Sequence, residues 1–190
     1  MNIFCLIAHQ NPRSFNYAIA ETARQEMLAR GHNVYWHDLY VEGFDPILTQ
    51  EEMDDETKCP ELVKQHIREL GDSQGIFIVH PNWWGTPPAI MKGWLDRVLR
   101  NGFAYKFTAD GPVPMFGDKT IQVISTSNTP RDVEINVYGD PLEGFWKKVV
   151  FGLTGYKAFD RRNFESIIMS TPEQRAEWLR ETAEIVRTRF

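Results

Sequence analysis

Three short stretches hold most of the residues here that could do chemistry: HQNPRSFN at 9–16, HPNWWGTP at 80–87 and TSNTPRDVEINVYGD at 126–140. The first brings His9, Arg13, Ser14 and Asn16 to the start of a helical pattern. Free backbone N–H groups and the positive end of a helix dipole make an anion site there, which Ser14 and Asn16 can extend with side-chain bonds. A plain cap at Ser14 and a solvated charge at Arg13 are the commoner use of such residues. The second stretch puts Trp83 beside Trp84, in a backbone stiffened by Pro81, Pro87 and Pro88. Adjacent residues of regular structure cannot both enter one core, so one indole can flank a planar ligand; the plainer alternative is one tryptophan packed under the loop and the other on the surface or in a subunit contact. The third offers Ser125, Thr126, Ser127 and Asn128, small donors that suit the carbonyl rim of a heterocycle and equally suit an ordinary polar loop. An anion site, an aromatic wall and polar donors together suggest a flavin nucleotide.

These stretches need elements to bring them together, and the hydropathy pattern supplies an alternating series. Short apolar runs predict strands over 2–8, 33–39, 75–79, 119–126 and 163–169. Helical spacing predicts helices over 15–30, 61–70, 89–100 and 142–153, and a last one opened by Thr171-Pro172-Glu173. This β-α-β-α order predicts a mostly parallel sheet with helices on both faces, and all three stretches then emerge at the C-terminal ends of strands, where such sheets bind ligands.

Composition narrows the field. The chain has 190 residues, suiting one domain over 1–190, with a formal net charge of -5 and no basic run of about five or more residues. Nucleic-acid binding lacks its cationic footprint. Two cysteines, Cys5 and Cys59, form no C-x-x-C pair and no metal spacing with the five histidines. No segment approaches the ~20 apolar residues of a membrane span and MNIFCLIAHQ is no leader, so a cytoplasmic, soluble protein without membrane insertion is expected. The dinucleotide fingerprint G-x-G-x-x-G, a true P-loop, G-x-S-x-G and H-E-x-x-H are absent.

Three segments resemble the flavodoxin-like NAD(P)H:quinone oxidoreductases of the DT-diaphorase type: AHQNPRSFNYAIAETA, HDLYVEGFDPIL and PNWWGTPPAIMKGWLDRVLRNGFAY. The resemblance covers most of the chain. It implies a flavodoxin-like five-stranded parallel sheet of order 2-1-3-4-5 and a bound flavin, FAD or FMN with FAD ahead. It also implies NAD(P)H as co-substrate, a quinone-like acceptor, two-step hydride transfer and a homodimer with the site at its interface. By position, His9, Ser14, Phe15 and Asn16 would hold the phosphate end. Pro81, Asn82, Trp83 and Trp84 would line the ring, with Ser125, Thr126, Ser127 and Asn128 completing that side, and Phe103, Tyr105 and Phe107 would face the partner's pocket.

Two positions depart from the family. Its H-G-D motif reads Tyr138-Gly139-Asp140, so Tyr138 takes the histidine's catalytic place, and a phenol can donate a hydrogen bond but does not become a cation. The acidic residue before F-A-Y in the FAD-binding reductases is Gly102. Arg131, Arg161 and Arg162 offer charge to a 2′-phosphate, although solvated surface charge is their commoner use. Two other roles share the fold: a flavoprotein subunit that regulates a potassium-efflux transporter, and an electron-carrying flavodoxin.

Overall fold

The computed structural model describes residues 1–190. Five parallel strands form the central sheet: β1 (Asn2–Ile7), β2 (Asn33–Asp38), β3 (Gly75–Pro81), β6 (Thr120–Thr126) and β7 (Ala158–Phe164), in the order β2-β1-β3-β6-β7. Numbered among themselves, the five run 2-1-3-4-5, the expected order. A separate antiparallel hairpin, β4 (Tyr105–Thr108) with β5 (Gly111–Pro114), carries two of the aromatics of the F-A-Y segment.

The period-2 alternation of each strand sorts side chains between two cores. Ile3, Cys5, Ile7, Phe77, Val79 and Ile124 pack on one face against α1 (Phe15–Ala29) and α8 (Pro172–Arg189). Phe4, Leu6, Ile76, Ile78, Ile121 and Val123 pack on the other, against α3 (Glu61–Asp72) and α4 (Ala89–Val98). With both faces covered, all seven residues of β3 are buried, which is why that strand reads as an unbroken apolar run. No helix is long and apolar enough to cross a membrane.

Two elements differ from the sequence expectation. The fifth strand occupies Ala158–Phe164, upstream of the apolar run at 163–169, and pairs Thr120 with Ala158 through Thr126 with Phe164. It lies at the sheet edge, and its charged residues Asp160, Arg161 and Arg162 hide it from a hydropathy reading. The 142–153 helix is a composite: α6 (Pro141–Glu143), a π-helical stretch over Gly144–Val150 and α7 (Phe151–Thr154). Two further helices fall in segments read as loops, α2 (Gln50–Asp54) and α5 (Arg131–Asn136).

The motif at 92–94 fixes α4 in place. A Cβ at Gly93 would lie 2.2 Å from the Pro46 carbonyl oxygen, so only glycine lets the F-x-P segment cross the helix this closely. Trp94 Nε1–H donates to His66 Nδ1 at 2.8 Å, tying α4 to α3.

Candidate functional site

β1, β3 and β6 are neighbours in the sheet, so the three chemistry-bearing stretches leave it side by side. The chain crosses from one side of β1 to the other at this point, the switch point at which open α/β sheets bind ligands.

At the first stretch, Ser14 caps α1 in extended backbone, its Oγ accepting from Tyr17 N–H at 3.4 Å. The N–H groups of Phe15 and Asn16 find no acceptor within the chain, which leaves two donors at the positive end of a 15-residue helix. Asn11 shapes the loop ahead of them: its Oδ1 accepts from Arg13 N–H at 2.9 Å, and its own N–H donates to His9 Nδ1 at 3.0 Å. Burial lowers the pKa of His9 and so favours the neutral ring that this acceptor role requires. Two of the expected contacts here change character. The Phe15 ring packs into the core against Phe164 and Trp178, so only its backbone faces the edge. The Asn16 side chain is buried, donating from Nδ2 to Thr126 Oγ1 at 2.9 Å, and it binds the first stretch to the third.

The second stretch is a tight turn with a strained centre. Trp83 N–H donates to Thr86 O at 3.0 Å and Thr86 N–H returns to Trp83 O at 3.1 Å. The two central residues, Trp84 at φ 57° and Gly85 at φ 75°, are both left-handed, as a type I′ turn requires. Asn or Gly normally fills the first of these positions, and a bulky residue there is an outlier. The Trp84 side chain is fully exposed. Trp83 is partly covered, its ring 6.4 Å from that of His9. Asn82 braces the turn: its Oδ1 accepts from Gly85 N–H and its Nδ2 donates to Glu134 Oε1, each at 2.9 Å, while its backbone N–H donates to Thr126 O at 2.7 Å. Pro81 ends β3 buried, its carbonyl accepting from His80 Nδ1–H at 2.8 Å. The far nitrogen of His80 accepts from Trp146 Nε1–H at 3.0 Å, so this wholly buried ring is neutral, and burial pushes its pKa down to about 4.

The third stretch places its residues unevenly. Ser125 is wholly buried, with Oγ donating to Asn163 Oδ1 at 2.8 Å and accepting from Arg161, because it still belongs to β6 and points into the fold. Thr126 serves Asn16. Ser127 is buried and donates to Thr129 O at 3.1 Å. Asn128 is exposed, and its Oδ1 accepts from Ile168 N–H at 3.1 Å. The N–H groups of Asn128 and Thr129 have no acceptor within the chain and are the free donors of this stretch.

The second and third stretches enclose a cleft of about 540 Å³, lined by Asn82, Trp84, Gly85, Thr129, Glu134, Tyr138 and Pro141. That is the size of a small-ligand site. Tyr138 is largely exposed, on the same cleft as Trp84. On the other side of Trp84 lies an apolar hollow of about 410 Å³, lined by Trp83, Pro87, Pro88, Ala89 and Phe145 among others. Glu134 was not foreseen. It is only 4% exposed, its Oε2 has no hydrogen-bond partner, and burial raises its pKa, aided by the nearby charge of Asp140 and opposed by the Asn82 bond. Its one sequence signal is the i, i+4 spacing from Tyr138, which is far too common to single it out.

Phe103, Tyr105 and Phe107 do not line this cleft. Phe103 packs edge-on to Phe116, and Tyr105 meets Phe107 edge-on in the hairpin, where Phe107 is exposed. The three arginines considered for a 2′-phosphate are engaged by carboxylates: Arg131 with Glu165, Arg161 with Asp140 and Glu143, and Arg162 with Glu165 and Glu181. Away from the cleft, His37, Glu42 and His66 bring ligand-type atoms within 4.8 Å of one another. The Trp94 donor on His66 Nδ1 puts that ring's proton on Nε2, which donates to Glu42 at 3.1 Å. The lone pair a metal would need is therefore spent, and the group is a hydrogen-bond network.

A family model described as a flavodoxin-like fold matches residues 1–189. A Haemophilus influenzae protein named an uncharacterized NAD(P)H oxidoreductase is 39% identical over 142 residues, spanning 72% of this chain and 70% of its own. The rat protein NAD(P)H dehydrogenase [quinone] 1 is 26% identical over 198 residues, spanning 92% of this chain and 72% of its own. Among solved structures, an FMN-dependent NADH-azoreductase from Bacillus anthracis, in complex with FMN, superposes with a TM-score of 0.83 over the whole of both chains at 14% identity, a likeness of fold.

Proposed function

The chain belongs to the flavodoxin-like NAD(P)H:quinone oxidoreductase family, and we propose that it holds a flavin against Trp84 and reduces quinones or similar acceptors with NAD(P)H in two half-reactions. The observation that carries this reading is the Trp83–Thr86 turn. It holds a bulky residue in left-handed backbone with the indole in solvent, over a cleft of ligand size. That arrangement stabilises nothing within the fold, and strain of this kind collects at ligand sites.

The residues present suit the group. The free N–H groups of Phe15 and Asn16, with Ser14 and His9 beside them, would take the phosphate end. Trp84 would flank the ring, Pro81, Asn82 and Trp83 would offer backbone, and the free N–H groups of Asn128 and Thr129 would meet the polar rim. Thr126, Ser127 and Ser125 support this wall from behind rather than touching the ring. Bound there, the flavin supplies hydride transfer between the nicotinamide and the acceptor. Tyr138 would donate a hydrogen bond to acceptor oxygen from the opposite wall. In this reading a second copy completes the site, bringing Tyr105 and Phe107 across on its own hairpin, while Phe103, packed against Phe116, supports that hairpin from within its own chain.

The test is acceptor-dependent oxidation of NADH and NADPH by the flavin-loaded protein, with a benzoquinone as acceptor. The expected result is one quinone reduced per nicotinamide oxidised, with parallel double-reciprocal lines as the second substrate is varied. Oxidation that ignores the quinone contradicts the proposal.

A further inference from the structure

Glu134 is the one carboxylate in the cleft whose burial serves no ion pair. Its Oε1 takes the Asn82 Nδ2–H bond at 2.9 Å, and the other face of the same amide takes Gly85 N–H at 2.9 Å. A continuous chain of bonds therefore runs from α5, on one wall, through Asn82 to the strained turn that presents Trp84 on the other. The same short helix leads directly into Tyr138. Its cost is visible too: Glu134 Oε2 is buried without a partner, and leaving such an oxygen unmet is unfavourable. Leucine would fill nearly the same space without that cost, so stability alone does not ask for a carboxyl here.

We propose that Glu134 is a positioning residue of this site, a strut that locks the Trp83–Thr86 turn to the Tyr138 wall through Asn82 and sets the separation between them for a planar ligand. This rests on the flavin reading above. The strut works through its acceptor oxygen rather than through charge, since an amide at this position can accept the same Asn82 bond. Glu134→Gln and Glu134→Leu thus divide the acceptor from the volume.

Two measurements on the full chain test the strut. In the ligand-free protein, hydrogen exchange at Gly85 N–H is slow in the wild type, about tenfold faster in Glu134→Leu, and restored in Glu134→Gln. In titrations with FMN, Glu134→Leu binds about five- to tenfold more weakly and Glu134→Gln recovers most of the loss. Thermal stability of Glu134→Leu is expected to stay close to that of the wild type, because removal of the unmet Oε2 offsets the lost Asn82 bond, whereas a merely structural role produces a clear loss. Unchanged Gly85 exchange in Glu134→Leu, or a Glu134→Gln variant that behaves like Leu, overturns the strut. Wild-type protein that takes up no FMN overturns the proposed function instead, and the strut is then judged on Gly85 exchange.

Discussion

At the scale of the residue, Trp84 decides the reading because its backbone and its side chain are both unfavourable in the isolated fold. The left-handed conformation costs an L-residue roughly 1–2 kcal/mol, and the indole gains no burial in return. Trp84→Asn creates an Asn-Gly pair, the preferred centre of a type I′ turn. The expected outcome is a chain as stable as the wild type or about 1 kcal/mol more so by chemical denaturation, with flavin affinity reduced about tenfold or more. A variant that loses stability would mean that the indole packs after all. The two tryptophans of the WWG motif were legible as a split pair from adjacency alone. Which residues behind them faced inward was not: Phe15, Asn16 and Ser125 have site-like types, but their directions depend on the phase of α1 and β6, which composition does not give. Glu134 was invisible because a lone carboxylate in a polar stretch looks like solvated charge until its burial is known.

At the scale of the element, the end of β3 is held by a neutral histidine. His80 donates to Pro81 O and accepts from Trp146 Nε1–H, a pairing that a second ring proton would break. The folded chain keeps this ring unprotonated down to about pH 4, whereas the unfolded chain takes up the proton near 6.5. Unfolding therefore binds protons in that window, and stability falls as pH drops through it, by on the order of 2 kcal/mol between pH 6.5 and 5 from this group alone. His66, lowered by burial, adds to the same slope. Denaturation at pH 7 and pH 5 should show a smaller loss for His80→Gln than for the wild type, and equal losses would remove His80 from the account. The central strands were readable because a doubly covered sheet makes unbroken apolar runs. The edge strand β7 carries charge on both faces, Arg161 turned inward to Asp140 and Glu143, and so shows no apolar run, while α5 is too short to show a period.

At the scale of the molecule, one wall of the cleft comes from each of two adjoining loops, while Tyr105 and Phe107 lie elsewhere, on the β4–β5 hairpin, and Phe103 packs behind it on Phe116. Phe107, Val113 and Met115 are exposed there, a cluster that suits a second copy of the chain. Sedimentation should find a dimer at micromolar concentration, and Phe107→Glu should shift it towards monomer with loss of quinone turnover; a wild-type monomer with full turnover would contradict the two-chain site. The two-chain site requires that the cleft beside Trp84 hold a flavin. The most direct measurement is titration of the flavin-free chain with FMN and with FAD, followed by visible absorbance and tryptophan fluorescence. Saturable binding of one flavin per chain, with quenched fluorescence and weakened affinity in Trp84→Asn, is the predicted result. No saturable uptake of either flavin, or uptake that Trp84→Asn leaves unchanged, would contradict it.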